Sequence, residues 1–484
     1  LHLLSRRGAV YVVPPNPGGG TPGDYSAYGA SETGTVRYVP AAASLQSVID
    51  ISSPGDVVKT TQVHNNEVAT FSKASGKDDI ALVFEGGSMV GITTNGAGSV
   101  YAIKGDASNI TVRGDSEANK GVVKDYRGWY TGNQLATPHQ GMIVASSNPA
   151  GERQSDHGDR WLIQHMEVSG GTGWGITPGR RTCIAVNEIH RNGIAGVGGG
   201  NPVGGLIDLN HIHRNGGGAT ASNILVPGTS EYVGDYLFGY PTPSDYGPSD
   251  YLFNAGGIKF GFANADSDYW NDQGQTNAAK RLHALAEVLT ISRNLVEYNG
   301  GVGVWVDVEC QMVHVIENVT RFNGNEWLNA IGIYIEVSGH MGGYRNMQVL
   351  RNESYGHTKD FVFLRPAEIF VWGGDNLLIQ DNDLEVRPST PIVEGIGIGN
   401  TYDQTGSPLL INDTARERAN GTIEVITNDF AVAAGAAGRM GVRGGTGTPA
   451  GLSYTNNTFT GTEMDFYNNG GELTKAQWQA LGYS

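Results

Sequence analysis

The chain has 484 residues, 72 of them glycine, about twice the average share, and only 17% are charged against roughly 25% in ordinary domains. No G-X-Y period and only 19 prolines exclude collagen and proline-rich disorder, while 39% apolar residues suffice for a large core. The net charge of −16 argues against a nucleic-acid partner, which needs a basic face, and no apolar run is long enough for a membrane span.

Residues 1–42, rich in Gly, Pro and Tyr, read as an N-terminal extension or arm. The chain opens at Leu1 without Met or a hydrophobic leader, which reads as a processed or trimmed form. Few Cys and Lys beside much Gly, Asn, Thr and Tyr fit an exported protein. From residue 43 a different pattern takes over. In Ser44–Val58, Leu45, Val48 and Ile49 share one helical face ahead of a PGD turn, so a short capping helix is expected.

A repeat of apolar-x-apolar-x-x-Asn-x-apolar then governs the chain. Its asparagines are Asn187, Asn210, Asn294, Asn318, Asn352, Asn382, Asn428 and Asn457, and several intervals fall between 23 and 34 residues. Short alternating strands with a polar turn residue at fixed phase predict a parallel solenoid, each coil burying its inward side chains against the coils above and below. Asparagine suits the turn, since it tolerates a left-handed backbone and its amide can bond the same amide one coil away. A second ladder, Asn192, Asn215, Asn299 and Asn323, follows five residues on, each Asn preceding Gly. Cys183 and Cys310 fall several coils apart, so free thiols are expected.

Residues 216–288 are a long loop insertion carrying Tyr232, Tyr236, Phe238, Tyr269 and Trp270 among its aromatics. Within and after it, four strands align without gaps, starting at Gly257, Gly303, Gly332 and Glu368. Ile258, Val304, Ile333 and Ile369 point inward, as do Phe260, Val306, Ile335 and Val371. One outward column is Lys259, Trp305, Tyr334, Phe370; the next is Gly261, Asp307, Glu336, Trp372, with Glu309 and Ser338 beyond. The repeated IHRNG stacks His190 on His213, with Glu297 and Arg321 continuing that column; it reads as a surface turn ladder in preference to a metal site. At the C-terminus Thr474 starts a short helix with Trp478 and Leu481 on its apolar face, a second cap.

These features resemble the right-handed parallel β-helix superfamily of pectin-degrading enzymes, related polysaccharide lyases and phage tailspikes. The resemblance covers residues 43–484 and implies an all-β, single-stranded right-handed β-helix, with carbohydrate lying along an outward strand face. It does not specify a reaction. VWVDVEC at Val304–Cys310 is similar to the W-I-D-H stretch of pectate lyases but has Val308 in place of the histidine. Arg365–Pro366 is a fragment of their arginine motif, and the polygalacturonase motifs are absent; Asp78–Asp79 is an acidic pair away from the aromatic column.

Strand spacing of about 4.8 Å puts Asp307 and Glu336 side by side facing solvent, their carboxyls roughly 5 Å apart, so one pKa should rise. Flanked by Trp305, Tyr334, Phe370 and Trp372, the pair fits an acid/nucleophile couple on a sugar-stacking platform walled by Tyr269 and Trp270. The same acids, with Glu309, also suit calcium, and Lys259 suits a lyase base, its pKa depressed by burial. The carboxylate spacing tilts the reading toward hydrolysis. The expected protein is thus secreted and carbohydrate-active, a polysaccharide hydrolase or lyase acting as a monomer. Its rival is a homotrimeric tailspike, virion or cell-surface component that binds glycan without catalysis.

Overall fold

The computed structural model describes residues 24–91, 99, 101–126, 141–147, 157–171, 173–199, 202–216, 224–225, 232–233, 256–261, 263–264, 287–307, 310–324, 330–336, 338–339, 345–357, 366–387, 393–399, 422–434, 438–443, 451–460, 464–468 and 471–480. Each coil lays one strand into each of three sheets. Sheet 1 begins with Val36–Tyr38 and Val57–Thr60, sheet 2 with Val63–Asn65 and sheet 3 with Ala69–Phe71. The sheets hold 13, 12 and 13 strands, so nearly every coil contributes to all three. Within them every pairing is parallel except the last, where Gly471–Leu473 turns back on Met464–Asn468. The expected right-handed parallel β-helix is the fold of this chain.

The alternation read from the sequence places the core. In one coil, Leu289 and Ile291 from sheet 1, Val296 from sheet 2 and Val304 and Val306 from sheet 3 are all at most 1% exposed. Each such aliphatic contributes roughly 1.5–3 kcal/mol on burial. Both ends of this column are closed. Ser44 caps the helix Leu45–Asp50, whose Leu45, Val48 and Ile49 are buried as expected. At the other end Trp478, in the helix Lys475–Ala480, packs against Tyr454 and Phe466 with ring centroids 5.0 and 5.4 Å away. Leu481 lies outside the described residues.

The asparagine ladder forms as a continuous line from Asn187 to Asn457. At each step the side-chain oxygen of one Asn accepts both the backbone N–H and the side-chain amide of the Asn below. Asn294 N and Nδ2, for instance, lie 3.0 and 2.9 Å from Asn318 Oδ1. The left-handed residue, however, is not the asparagine but the one before it. Val186, Leu209, Arg293, Glu317, Arg351, Asp381, Thr427 and Asn456 have φ between 51° and 57°. A left-handed non-glycine residue costs roughly 1–2 kcal/mol, and the ladder's hydrogen bonds at the adjacent residue offset it.

The second ladder ends differently. Asn323 Nδ2 lies 3.4 Å from His357 Nε2, and His357 Nδ1 lies 2.9 Å from Glu368 Oε2, which also accepts from Ser354 Oγ at 2.9 Å. Glu368 stands in the column otherwise filled by Gly257, Gly303 and Gly332, so its carboxylate uses the space that glycine leaves open. His357 and Glu368 are fully buried.

The described part of the expected arm lies against the helix. Val36–Tyr38 pairs with Val57–Thr60, so sheet 1 begins inside residues 1–42. Upstream, Gly29 N donates to Arg160 O at 2.8 Å, and Tyr25 Oη donates to Asp208 Oδ2 at 2.8 Å. Tyr25 and Tyr28 cover the outward-facing Leu162, Cys183 and Leu206. Residues 25–30 therefore run across the outer face of sheet 1, because that face carries apolar side chains needing cover. Neither cysteine is in a disulfide, as expected, and both are buried.

Candidate functional site

The outward columns of sheet 3 have the register read from the sequence. Lys259 pairs with Trp305 and Gly261 with Asp307; Trp305 pairs with Tyr334, Tyr334 with Phe370, and Glu336 with Trp372. Inward, Ile258, Val304, Ile333 and Ile369 join the core. Asp307 and Glu336 thus project from neighbouring coils on the outer wall.

The surroundings of that wall differ from the expectation. Lys259 is 5% exposed, Trp305 4%, Tyr334 1%, Phe370 1% and Glu336 7%. The rings bury one another along the column: Trp305 and Tyr334 centroids are 5.3 Å apart, Tyr334 and Phe370 5.6 Å, and Phe370 meets Trp372 edge-on at 6.3 Å. Lys259 Nζ lies over the Trp305 indole, 3.3 Å from its centroid. The solvent-facing sugar platform is therefore corrected to a packed outer cluster, partly open at Asp307 and Trp372. Ser338, placed further along the outward row, is buried, its hydroxyl donating to Glu336 O at 2.7 Å. Tyr269, Trp270 and Glu309 lie outside the described residues.

The two carboxyls have different partners. Asp307 Oδ2 forms an ion pair with Lys259 Nζ at 2.9 Å. Glu336 Oε2 accepts from Trp305 Nε1 at 3.0 Å. Burial, then the charge of Asp307, hold the Glu336 carboxyl well above the usual carboxylate range, against the opposing pull of Lys259. A hydrogen bond to the Asp307 side chain adds to this upward push. The two carboxyls thus interact across neighbouring coils. Lys259 serves as the counter-ion of Asp307.

On sheet 2 the sequence-read column also forms: His190 pairs with His213, His213 with Glu297, and Glu297 with Arg321. The reading missed the buried His357–Glu368 pair. Its signal was present, as a glutamate in a glycine column and a histidine where the next ladder asparagine would stand.

A wall of three parallel sheets coiled about one core, capped at both ends and bearing an acid pair outside, defines a right-handed parallel β-helix protein. No protein-family model and no curated protein matches the sequence. Among solved structures, the chain is similar to the A-module of mannuronan C-5 epimerase AlgE4 from Azotobacter vinelandii. The two are 12% identical, with 92% of this chain and 97% of that one covered and a TM-score of 0.51. The Dettilon tailspike protein is 13% identical, covering 93% and 66%, with a TM-score of 0.43. An alginate lyase from Paenibacillus is 13% identical, covering 90% and 98%, with a TM-score of 0.34. Among the described residues no helix is long and apolar enough to cross a membrane.

Proposed function

We propose that this protein acts outside the cytoplasm on an acidic polysaccharide and cleaves it by elimination, with Glu336 as acid and Asp307 as base. The observation that carries this reading is Glu336, its carboxyl pushed well above the usual range by burial, beside an Asp307 paired to Lys259. An acid and a base side by side on one wall can work on one face of a sugar ring. Asp307 would take the proton α to the uronate carboxyl, and Glu336 would deliver its own to the bridging oxygen as that C–O bond breaks, leaving a C=C bond. Lys259 would neutralise the uronate, a role that replaces the one of base. The fold shared with a mannuronan epimerase module supports a uronate polymer as substrate.

A second reading rests on the burial of Lys259, Trp305, Tyr334 and Phe370: the cluster would stiffen the wall of a glycan-binding rod, monomeric or trimeric, with no turnover. One panel of polyuronates and neutral glycans separates the readings. Positioned acid–base catalysis contributes about 10²–10⁴-fold, so Glu336→Gln should lose at least 100-fold in turnover while retaining its melting temperature. Asp307→Asn should lose as much but also melt lower, because it strands the buried Lys259. New absorbance from an unsaturated uronate is the expected product signal. Reducing ends without that absorbance would replace elimination by hydrolysis. Binding with no product from any glycan would establish the rod.

A further inference from the structure

We propose a binding site for a divalent transition ion of the zinc class on the outer face of sheet 2, formed by Glu188, His211 and His213. One ligand atom from each lies within 4.8 Å of the others. His211 and His213 are two apart in one strand, so both point outward, and Glu188 is the register partner of His211 one coil below. The site lies on a different sheet from Asp307 and Glu336, so the two assignments stand or fall separately.

The independent sign of a missing ligand is His213 Nε2. It is buried without a hydrogen-bonding partner, in a side chain only 8% exposed. Its nearest carboxylate atom, Glu188 Oε1, is 3.5 Å away. That separation is long for a hydrogen bond but suits two donors on one tetrahedral ion: bonds of about 2.0–2.1 Å put neighbouring ligands roughly 3.4 Å apart. The other oxygen of Glu188 is held by Lys120 Nζ at 2.7 Å, which leaves Oε1 as a single-oxygen ligand.

The surroundings of the donors agree. Behind His211, Glu297 Oε1 lies 2.8 Å from Nε2, and Arg321 fixes Glu297 through Oε2 at 2.6 Å. Metal-bound imidazoles characteristically carry such a carboxylate on the second nitrogen. Two imidazoles and a carboxylate suit zinc, copper or nickel, whereas calcium and magnesium prefer all-oxygen sets.

The test is titration of the purified, chelator-treated full chain with Zn²⁺ by calorimetry, and with Co²⁺ by visible absorption. The expected result is one ion per chain, with the intense absorption of tetrahedral cobalt displaced by Zn²⁺. His213→Gln and His211→Gln should each weaken binding at least tenfold. Glu297→Gln, which leaves all three ligands in place, should weaken it by about 10–100-fold. Circular dichroism establishes that each variant is folded; for any that is not, the cobalt spectrum of the wild-type chain decides. No Zn²⁺ binding below millimolar concentration, an octahedral cobalt spectrum, or affinity unchanged in folded His213→Gln would overturn the site.

Discussion

Asn318→Ala, in the middle of the ladder, should destabilise the coil stack more than any exposed substitution. Asn318 is fully buried. Its Oδ1 accepts from Asn294 N and Nδ2, and its Nδ2 donates to Ile291 O at 2.9 Å and to Asn352 Oδ1 at 3.0 Å. Alanine removes these four bonds and a fifth, from Nδ2 to Ile316 O at 3.2 Å, but not all the partners are stranded. Asn294 Nδ2 retains Ile207 O, and Asn352 Oδ1 retains the Asn318 backbone N–H. The Asn294 N–H loses its partner, at about 1–3 kcal/mol, and the other lost bonds add about 0.5–1.5 kcal/mol, so the expected cost is roughly 2–4 kcal/mol. Asn457→Ala, at the last rung and 9% exposed, should cost about 1–2 kcal/mol because water reaches the stranded groups. Solenoids can lose coils separately, so native-state hydrogen exchange of the amides around residues 289–352 is the assay, supported by urea melts. Equal costs at positions 318 and 457, or less than about 1 kcal/mol at 318, would refute the ladder's role. Asn318→Asp sharpens the test. It retains the acceptor but turns an oxygen toward Ile291 O, so its deficit should grow as pH rises and the buried acid must ionise.

Three further outcomes follow from the geometry. Burial depresses the His314 pKa from 6.5 to about 4, so the folded state resists a proton that the unfolded chain accepts. Stability should therefore fall as pH drops from about 6.5 toward 4; the 2.5-unit difference corresponds to at most roughly 3 kcal/mol, and a folded His314→Gln should lack this component in pH-dependent melts. Tyr25→Phe removes the hydroxyl bond to Asp208, which keeps Arg293 and Ser292; a loss of about 1 kcal/mol and faster proteolysis before residue 30 are expected, and unchanged proteolysis would refute the clamp. Trp305→Phe takes away both the Nε1–H donor to Glu336 and the indole under Lys259. It should reduce turnover on any substrate found and lower the melting temperature, and full activity in that variant would separate the indole from the acid's environment.

The register of every outward column was legible because a parallel solenoid repeats one arrangement. Once the strands starting at Gly303 and Gly332 are aligned on their alternation, Trp305 lies beside Tyr334 and Asp307 beside Glu336. Period-two alternation then separates inward Val304 and Val306 from outward Trp305 and Asp307. It does not separate outward from exposed. Whether an outer face meets water depends on what crosses it, and the crossing segments follow no period. Tyr25 and Tyr28 cover Cys183 from about 155 residues earlier in the chain, a contact that no repeat encodes. The same limit explains the acid pair: its neighbours could be read, but the burial that raises the Glu336 pKa could not. The left-handed corner was misplaced by one residue for a related reason. Composition points to the asparagine, yet the backbone turns at Val186 or Glu317, and the asparagine's place there is to hold the hydrogen bonds that let an unsuited residue turn. Sequence periodicity therefore reports which groups are neighbours, whereas the chemistry of a neighbour pair is set by the aperiodic chain laid over it.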